Sequence, residues 1–398
     1  MNQNLKSIAI IVQRCGQQIQ AGAEVYAFNL AKALAEKGLL VDVLTSKSDD
    51  YIKWNNNLPN IEEVKTSGLS FSIKRFPVIH SRQRYLFAIV KRTIKYLKKI
   101  NNSLYALFAP LLDYIFLRSQ GPWCPELWNY LRKNQQKYNL LIVKSYLYAP
   151  NVYALKENIK IKKLFIVTAH NEPEFKLAFV DKMLSSSNIL AFVSKAEKSL
   201  CNEIWPLSAT KNSIILPPGF QNLNLQTEQQ VRSEIIKLIN SDFFLYLGRI
   251  DKNKNIDFIL NHTPHNCLVV FAGDLKYQIP NDPRFIYIGR VNEKEKELLL
   301  KKAIALLIAS RYEAYSIVTA EAIKLNCIVL ALKGCPPIDE LINEYGGILC
   351  EEQDFSNKML SLLNKDNSGI FLQSDKISHD KSWRKNADIV ENILLERI

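Results

Sequence analysis

The sequence predicts an α/β protein of two domains, each organised around a parallel β-sheet. Three observations predict this class: a strand–loop–helix–strand order at the start of the chain, a proline-rich break near its middle, and the same order repeated after the break. Alternating strands and helices are typical of parallel sheets. The length of 398 residues suits two hydrophobic cores, because single cores stop growing at about 250–300 residues.

The opening of the chain shows this order most plainly. Residues 8–12 form an apolar run that predicts a buried strand, and residues 39–45 predict the next strand. Between them, apolar residues recur at every fourth position after Gly22, which predicts a helix. Ligands of parallel sheets bind beyond the carboxyl ends of the strands, where the loop at Gly22 is expected. Gly22 has two interpretations: a backbone that a ligand approaches closely, or a tight turn that requires glycine.

A basic segment, residues 64–118, follows the opening strands. No Asp or Glu occurs between Val64 and Leu112, whereas basic residues alternate there with aromatic residues and leucine. The basic residues are Lys65, Lys74, Arg75, Arg82, Arg84, Lys91, Arg92, Lys95, Lys98 and Lys99. Basic and aromatic side chains at helical spacing favour a helix that lies in an anionic membrane surface. A solvated helix packed on its domain is the alternative. Nucleic acid is not expected as a partner, since no nucleic-acid-binding motif accompanies the segment.

Composition argues against several other classes. Seven cysteines without a C-x-x-C pair predict reduced thiols in a cytoplasmic protein. The first residues show no signal-peptide pattern, and no apolar run is long enough to span a bilayer. His262, His265 and Cys267 have the spacing of metal ligands, but Pro264 interrupts them and no fourth ligand lies nearby in the sequence. We therefore expect a cytoplasmic protein without a metal site.

The rest of the first domain places a histidine at a strand end. A strand is predicted at 164–168, and His170 follows it directly. A histidine beyond the carboxyl end of a parallel strand faces the ligand side of the sheet. Two prolines and a glycine at 217–219, followed by polar residues, predict the domain boundary. The expected domains are residues 1–218 and 219–380, followed by an amphipathic terminal helix at 381–398.

Basic residues mark the first strand end of the second domain. A strand at 243–247 ends in Gly248 and Arg249, and Lys254 follows five residues after the arginine. An Arg and a Lys in one loop can neutralise a diphosphate without a metal ion. The chain lacks both the G-x-G-x-x-G and the P-loop fingerprints, so dinucleotide and ATP binding are not favoured.

Residues 310–321 combine a loop, a helix start and two acids. Glu313 is expected in the loop, Ser316 at the N-cap of a helix that starts near Ile317, and Glu321 about one turn inside it. A helix start offers unpaired N–H groups and a positive dipole end to a phosphate. The two carboxylates would accept hydrogen bonds from hydroxyls. The pattern therefore predicts a site for a ligand that carries both phosphate and hydroxyl groups.

These motifs together resemble those of family-four glycosyltransferases, which are GT-B enzymes that transfer a sugar from a nucleotide-sugar with retention of configuration. Glu313-x7-Glu321 resembles their E-x7-E signature, and Gly248-Arg249-x4-Lys254 resembles their G-R-x4-K step. Residues 21–24 resemble their G-G-x-E turn, with Ala21 in place of the first glycine. His170 stands where the family carries a histidine. The chain departs from the family at Pro218, Ser316 and Cys335, and no role is carried onto Glu340.

The resemblance implies two doubly wound Rossmann-like domains that face each other across a cleft, with the terminal helix 381–398 packed back on the first domain. It implies catalytic roles for Glu313 and His170. Arg249 and Lys254 would hold the diphosphate, and Glu321 the ribose. The remaining donor-binding residues would be Gly22, Gly248, Tyr315, Ser316 and Ile317.

The expected function is sugar transfer to a hydroxyl of a glycan or lipid-linked acceptor, in surface polysaccharide or glycolipid synthesis. The resemblance implies no metal and no cofactor beyond the nucleotide-sugar, which is a co-substrate. We expect the enzyme in the cytoplasm, peripheral at the inner face of the plasma membrane where the basic segment binds anionic lipid. The alternatives are a catalytically silent GT-B protein that acts as a binding partner, and a phosphorylase or epimerase of the same fold.

Overall fold

A computed structural model describes residues 6–19, 22–156, 158–220, 230–365 and 369–396. Ala21 of the expected glycine-rich turn, and residues 221–229 of the expected linker, lie outside the described residues. Two compact units divide the chain. The amino-terminal unit comprises Met1–Gly219 with Trp383–Ile398, and the carboxyl-terminal unit comprises Phe220–Ser382.

The amino-terminal unit is built on an eight-stranded sheet in the order β3-β4-β2-β1-β5-β6-β7-β8. Its strands are β1 (Ser7–Ile11), β2 (Leu40–Ser46), β3 (Ile61–Val64), β4 (Phe71–Phe76), β5 (Leu140–Lys144), β6 (Lys162–Ile166), β7 (Ile189–Phe192) and β8 (Ser213–Ile215). Within the described residues every pairing is parallel except that of β3 with β4. The central strands are buried on both faces, which explains their continuous apolar runs.

Within the described residues, seven α-helices accompany this sheet before the chain leaves the unit. They are α1 (Gly22–Glu36), α2 (Arg84–Ile100), α3 (Asn102–Gln120), α4 (Pro125–Asn134), α5 (Ala149–Ala154), α6 (Ala178–Ser186) and α7 (Lys195–Ile204). The strand order reverses between β1 and β5, so the loops after these two strands form the switch point of the sheet.

The basic segment is not one helix. Residues 71–76 alternate between buried and half-buried positions and form strand β4, where Lys74 pairs with Asp42 at 2.6 Å. The rest forms an antiparallel hairpin of α2 and α3, in which Gln83 N donates to Ser119 O at 2.9 Å. The side chain of Asn101 separates the two helices and accepts from Ser103 N, which caps α3. The expected amphipathic helix is therefore corrected to a helical hairpin preceded by a strand.

The carboxyl-terminal unit carries a six-stranded parallel sheet in the order β11-β10-β9-β12-β13-β14. Its strands are β9 (Phe244–Leu247), β10 (Val269–Ala272), β11 (Phe285–Tyr287), β12 (Leu306–Ile308), β13 (Val329–Leu332) and β14 (Ile348–Cys350). Its helices are α8 (Ser233–Leu238), α9 (Ile256–His262), α10 (Glu293–Lys302), α11 (Ile317–Lys324), α12 (Pro336–Tyr345), α13 (Phe355–Leu363) and α14 (Ser374–Asp380). This is the doubly wound Rossmann order, whose switch point lies between β9 and β12.

The terminal helix α15 (Trp383–Leu394) packs against α1 in the amino-terminal unit. The Trp383 ring meets the Tyr26 ring edge-on at a centroid distance of 5.0 Å. Lys37 at the end of α1 forms ion pairs with Asp388 and Glu391 of α15. An apolar anchor and charged contacts thus hold the helix in place.

No described helix combines the length and the apolarity that a bilayer span requires. Among the described residues no three His, Cys, Asp or Glu side chains cluster as metal ligands would. His262 stacks on Phe258 at 4.0 Å between ring centroids, and Cys267 is a buried free thiol. Both side chains are therefore part of local packing.

Candidate active site

The site is built around the switch point of the carboxyl-terminal sheet. The loops that follow β9 and β12 flank this point, because these two strands are neighbours in the sheet. The β9 loop carries Gly248, Arg249 and Lys254, and the β12 loop carries Glu313. Residues that are about 60 positions apart in the chain are thus brought to one edge of the sheet.

Gly248 starts the first loop with a backbone that favours glycine. Its φ angle is +146°, and its N–H donates to Ala272 O at 3.0 Å. Gly273 lies against it so closely that a Cβ there would stand 1.8 Å from Gly248 O. The glycine pair therefore turns two neighbouring strands sharply at the ligand-facing edge.

Asp251 holds the two basic residues of this loop together. One carboxylate oxygen lies 3.0 Å from Arg249 Nε in an ion pair. The other accepts from Lys254 N at 3.1 Å and caps the turn Lys252–Lys254. Arg249 keeps a side chain that is 47% exposed. Its guanidinium therefore has donors available for a further anion.

The Lys254 ammonium forms an ion pair with the Glu313 carboxylate, which joins the two loops across the switch point. Their side chains are 21% and 15% exposed, so the pair is neither fully buried nor freely solvated. Neighbouring Arg311 instead pairs with Glu352 at the surface, at 2.8 Å. The loop therefore contains one charge pair directed to the switch point and one directed to solvent.

Helix α11 begins next to this pair. Its first hydrogen bond runs from Ala320 N to Ser316 O at 3.2 Å, which leaves the N–H groups of Ile317, Val318 and Thr319 without an intrahelical partner. Ser316 occupies the N-cap position as expected. Its hydroxyl, however, makes no cap hydrogen bond and contacts Thr319 Oγ1 at 2.7 Å. The expected cap by the Ser316 side chain is wrong, because the Ser316 hydroxyl bonds to the Thr319 hydroxyl and not to a backbone N–H group.

Glu321 lies one turn into α11, in an ion pair with Lys296 of α10 at 2.8 Å. Lys296 also contacts Glu293 at 2.7 Å, so one ammonium is shared by two carboxylates. Burial raises the pKa of Glu321, and the Lys296 ammonium opposes this effect. Lys296 therefore favours the ionised carboxylate, the form that accepts hydrogen bonds.

Tyr315 precedes the helix, and its ring packs against the core of the unit. Its hydroxyl oxygen is buried and has no hydrogen-bond partner within the described part of the chain. Burial raises the pKa of Tyr315, with Glu340 and Glu344 adding to the effect. The phenol is therefore a neutral donor, and such a buried orphan group marks a place where a polar ligand atom would be accommodated.

Gly22 and His170 lie in the amino-terminal unit. Gly22 is the first residue of α1; its φ is not positive, and an added Cβ would meet nothing within 4 Å. Neither its backbone nor its packing requires glycine, so the tight-turn interpretation has no support here and ligand contact at Gly22 stays a prediction. His170 follows β6, is partly buried, and has an Nδ1 atom without a partner among the described residues.

Sequence reasoning missed three side chains that organise these loops. Asp251 and Lys296 hold the predicted residues of the carboxyl-terminal unit, as described above. In the amino-terminal unit, buried Arg14 donates to Glu24 at 2.7 Å and to Asp49 O at 2.7 Å, which fixes the loop before α1. Asp251 was detectable as an acid two residues after Arg249. The Lys296 contact depends on helix packing and has no local signal.

Comparison with known proteins shows what the chain is similar to. Residues 229–387 match the family model described as glycosyl transferases group 1. The matched residues contain most of the carboxyl-terminal unit, so the chain is similar to this family over that unit. It is similar to the alpha-1,3/1,6-mannosyltransferase ALG2 of Dictyostelium discoideum, with 23% identity over 257 residues, which cover 55% of this chain and 61% of that relative. The chain thus spans about three fifths of that relative's length.

Solved structures extend the similarity to both units. Sucrose-phosphate synthase from Thermosynechococcus elongatus superposes with a TM-score of 0.66 at 16% identity, covering 98% of each chain. Anabaena HepE in complex with UDP and glucose superposes with a TM-score of 0.63 at 13% identity, covering 98% of this chain and 100% of that one. At such low identity these matches define the fold alone. The predicted α/β class with GT-B architecture is confirmed.

Proposed function

We propose that the protein is a glycosyltransferase that moves a hexose from a nucleotide-sugar to a hydroxyl of its acceptor, with retention of configuration. Arg249 and Lys254 bind the diphosphate, and the start of α11 adds N–H donors to its oxygens. Glu321 accepts from the ribose hydroxyls. Glu313 accepts from hydroxyls of the donor sugar near the reacting carbon.

The Lys254–Glu313 ion pair carries this proposal. An ammonium has three donors and a carboxylate accepts at about four lone pairs, and the pair uses one contact between them. Each group can therefore bind another partner without leaving the first. A phosphate oxygen on Lys254 and a sugar hydroxyl on Glu313 would then be neighbours, as they are within one sugar diphosphate. A lone phosphate or a lone sugar would satisfy only half of this arrangement.

The chemistry follows from where charge develops. Negative charge grows on the diphosphate as its bond to the sugar breaks, and the two cations and the helix start stabilise it. The departing phosphate oxygen takes the proton of the attacking acceptor hydroxyl on the same face, which preserves configuration. In the carboxyl-terminal unit, the backbone at Gly248 and the Tyr315 hydroxyl, as a donor, add to the binding of the nucleotide-sugar. In the amino-terminal unit, His170 and the backbone at Gly22 are the proposed contacts to the same ligand. No metal is needed in this scheme, because the protein supplies the positive charge.

The relatives guide the choice of donor. A mannosyltransferase and a sucrose-phosphate synthase are among the similar proteins, and one similar structure contains UDP and glucose. We therefore propose a nucleotide-activated mannose or glucose as the donor. A glycan or lipid-linked hydroxyl compound, as used in surface polysaccharide or glycolipid synthesis, would be the acceptor.

Donor turnover by the full chain tests the proposal. Purified protein would be incubated with the UDP, GDP and ADP derivatives of glucose and mannose, and release of the nucleoside diphosphate would be measured by chromatography. We expect release with one base and its loss in the Glu313→Gln variant. Glu352→Gln is the matched control, because Glu352 lies in the surface ion pair with Arg311. Absence of release with all six donors, together with absence of diphosphate binding, would overturn the assignment.

We propose further that the α2–α3 hairpin binds an anionic membrane surface at the inner face of the plasma membrane. Its exposed large apolar residues are Tyr85, Leu86, Ile89, Tyr96, Ile100, Leu104, Leu107, Phe108, Leu111 and Tyr114. Arg84, Arg92, Lys95 and Lys99 beside them form no ion pair within the described residues. Inserted aromatic side chains flanked by cations favour anionic lipid over neutral lipid. This placement suits a lipid-linked acceptor.

Vesicle flotation tests the hairpin. We expect the protein to float with vesicles of phosphatidylcholine and phosphatidylserine and to remain behind with phosphatidylcholine alone. Replacing Arg92 and Lys95 by Glu should reduce partition at least tenfold, since each cation contributes about 1 kcal/mol near such a surface. Phe371→Ser is the control, because Phe371 is an exposed aromatic residue that lies outside the hairpin, in the carboxyl-terminal unit. Equal flotation of the charge variant would exclude this role.

A further inference from the structure

Two buried charged side chains of the amino-terminal unit have no part in the proposed function so far. Lys144 is the last residue of β5, at the switch point of the sheet, and is 2% exposed. Glu197 lies in the first turn of α7 and is 1% exposed. Buried ionised groups are costly unless they are paired and hydrogen-bonded. The hydrogen bonds of Lys144 and Glu197 therefore indicate which segments of the chain these two side chains stabilise.

Lys144 binds the loop that follows β6. Its Nζ atom donates to Thr168 Oγ1 at 2.6 Å and lies 3.9 Å from the centre of the Tyr26 ring. Tyr26 is fixed in turn, because its hydroxyl donates to Leu216 O at 2.8 Å. The side chain of Asn151 donates to Ser145 O at 2.8 Å and holds the chain just beyond Lys144. The ammonium is thus held between the Thr168 hydroxyl and the Tyr26 ring.

Glu197 binds the same loop from the other side. One carboxylate oxygen accepts from Ala169 N at 2.6 Å and the other accepts from Val193 N at 2.5 Å. The carboxylate therefore links the loops after two neighbouring strands, β6 and β7. Ser194 accepts from Glu197 N at 3.0 Å and caps the helix that carries it. Such caps fix the direction of a helix start.

The segment between the two charges is strained. Thr168 has a φ angle of +60°, a region that β-branched residues rarely adopt. Strained backbone of this kind persists where its surroundings overdetermine it, and it concentrates at functional sites. Here the Thr168 side chain is held by Lys144 and the next N–H by Glu197. His170 is the residue that follows directly.

The charges of Lys144 and Glu197 each oppose the effect of burial on the other. Burial lowers the pKa of Lys144 to about 7, and the Glu197 charge opposes this. Burial raises the pKa of Glu197 to about 7, against the N–H groups of Ala169 and Val193 and the charge of Lys144. Each group therefore favours the ionised form of the other. Removing one would leave the second as an uncompensated buried charge.

We propose that Lys144 and Glu197 are positioning residues that hold Thr168 and Ala169 so that His170 is presented to the donor sugar. This rests on the proposed function, because it takes the role of His170 from it. Neither charge touches the substrate. They act through the strained segment, which transmits their positions to the imidazole one residue away.

A comparison of single and double variants tests the proposal. Glu197→Gln and Thr168→Val should each lower kcat about 10- to 100-fold, the loss that a displacement of about 1 Å produces. The Kd of the nucleoside diphosphate should change less than twofold, since its binding groups lie in the carboxyl-terminal unit. Lys163→Met is the control, because Lys163 is a buried lysine of β6 whose ammonium donates to Lys156 O, away from this loop. Its kcat should stay near that of the parent.

The decisive measurement combines Glu197→Gln with His170→Ala. If Glu197 acts through His170, the added change lowers kcat by less than twofold in the His170→Ala background. An undiminished 10- to 100-fold loss there would overturn the proposal. Thr168→Val offers the same test if Glu197→Gln does not fold, because it keeps a β-branched side chain at the same backbone angle.

A readout without catalysis separates this proposal from the proposed function. The imidazole resonances of His170, followed by NMR, should move in Glu197→Gln and Thr168→Val but not in Lys163→Met. Unchanged His170 signals in all three variants would contradict the positioning role. Moved signals in a protein that turns over no nucleotide-sugar would support the positioning and reject the proposed reaction instead.

Discussion

The charged side chains near the switch points of the two sheets differ in their exposure and in what they contact. In the carboxyl-terminal unit, the acid–base pairs Lys254–Glu313 and Lys296–Glu321 are partly exposed, and each of their groups keeps further hydrogen-bonding capacity. In the amino-terminal unit, Lys144 and Glu197 are almost fully buried and hold backbone segments. Arg14 and Glu24 behave similarly. The difference separates groups that can bind a ligand from groups that hold the site in shape.

The free energy lost when an ion pair is broken explains this difference between exposed and buried charges. A partly exposed ion pair contributes about 0–1 kcal/mol to stability, so a ligand can compete for its members. A buried pair whose partner is removed destabilises the fold by about 3–5 kcal/mol. Substitutions in the two kinds of pair should therefore affect different measurements. Activity should respond at the exposed pairs, and stability at the buried ones.

The largest effect is expected at Glu313. Glu313→Gln keeps the size of the side chain but removes the charge that faces Lys254 and that we propose binds the sugar hydroxyls. We expect kcat to fall about a thousandfold, as for other groups aimed at a developing charge. The melting temperature should shift by no more than about 3 °C, because the lost pair is partly exposed. Steady-state kinetics and calorimetry measure both, and activity within tenfold of the parent contradicts the role.

The reverse pattern is expected at Glu24. Its carboxylate accepts from two nitrogens of Arg14, and both side chains are buried. Glu24→Ala leaves the guanidinium without its partner and should lower the free energy of unfolding by about 3 kcal/mol. Urea denaturation measures this loss. Glu352→Ala, at an exposed pair, should cost less than about 1 kcal/mol. Equal losses of unfolding free energy in Glu24→Ala and Glu352→Ala would contradict the difference between buried and exposed ion pairs.

The sequence predicted what depends on local patterns. Apolar runs separated by helix-like spacing predicted the parallel sheets, and the fold class is confirmed because this signal is repeated along the chain. The roles of Glu313, Glu321, Arg249 and Lys254 stay predictions. What the structure adds is that β9 and β12 are neighbours, which brings Lys254 to Glu313. Strand order is set by packing between distant segments, and no single loop encodes it.

Other features of the site depended on packing that the sequence does not display. Lys296 reaches Glu321 only because α10 lies beside α11, and many lysines nearby give the same local signal. The Ser316 hydroxyl could bond to a backbone N–H group or to the Thr319 hydroxyl, and the spacing of residues in the sequence does not distinguish these two partners. The basic segment was assigned by its charge, whereas the alternation at 71–76 made part of it a strand.

Arg249 sharpens the comparison within the carboxyl-terminal unit. Its side chain is about half exposed, and in the described part of the chain its one ion pair is with Asp251 in the same loop. Arg249→Ala should weaken binding of the nucleoside diphosphate about 30-fold, since charge-assisted contacts of this kind contribute about 2 kcal/mol. Calorimetric titration measures the Kd. Arg311→Ala, which removes a surface arginine paired with Glu352, is the control. Unchanged affinity in Arg249→Ala would remove its assignment to the diphosphate.

The smallest effect is expected at Asp113, a buried acid on the inner side of the α2–α3 hairpin. Burial raises its pKa to about 6, against hydrogen bonds from the Tyr105 hydroxyl and the Phe179 N–H and the charges of Lys182 and Lys98. The unfolded value is about 3.9, so between about pH 4 and 6 the native state binds the proton more tightly. Stability from this group therefore falls as pH rises through that window and stays lower above it.

Replacing Asp113 by Asn should reverse this penalty. The variant cannot ionise, so its free energy of unfolding should exceed that of the parent by about 1–2 kcal/mol at pH 7.5 and match it near pH 4.5. Urea denaturation at both pH values measures the difference. Asp375→Asn, at a residue in the first turn of α14, is the control and should show no such pH dependence. An Asn variant that is less stable than the parent at pH 7.5 would mean that the carboxylate stabilises the hairpin, placing Asp113 with Glu24 and Glu197 among the buried charges that stabilise the fold.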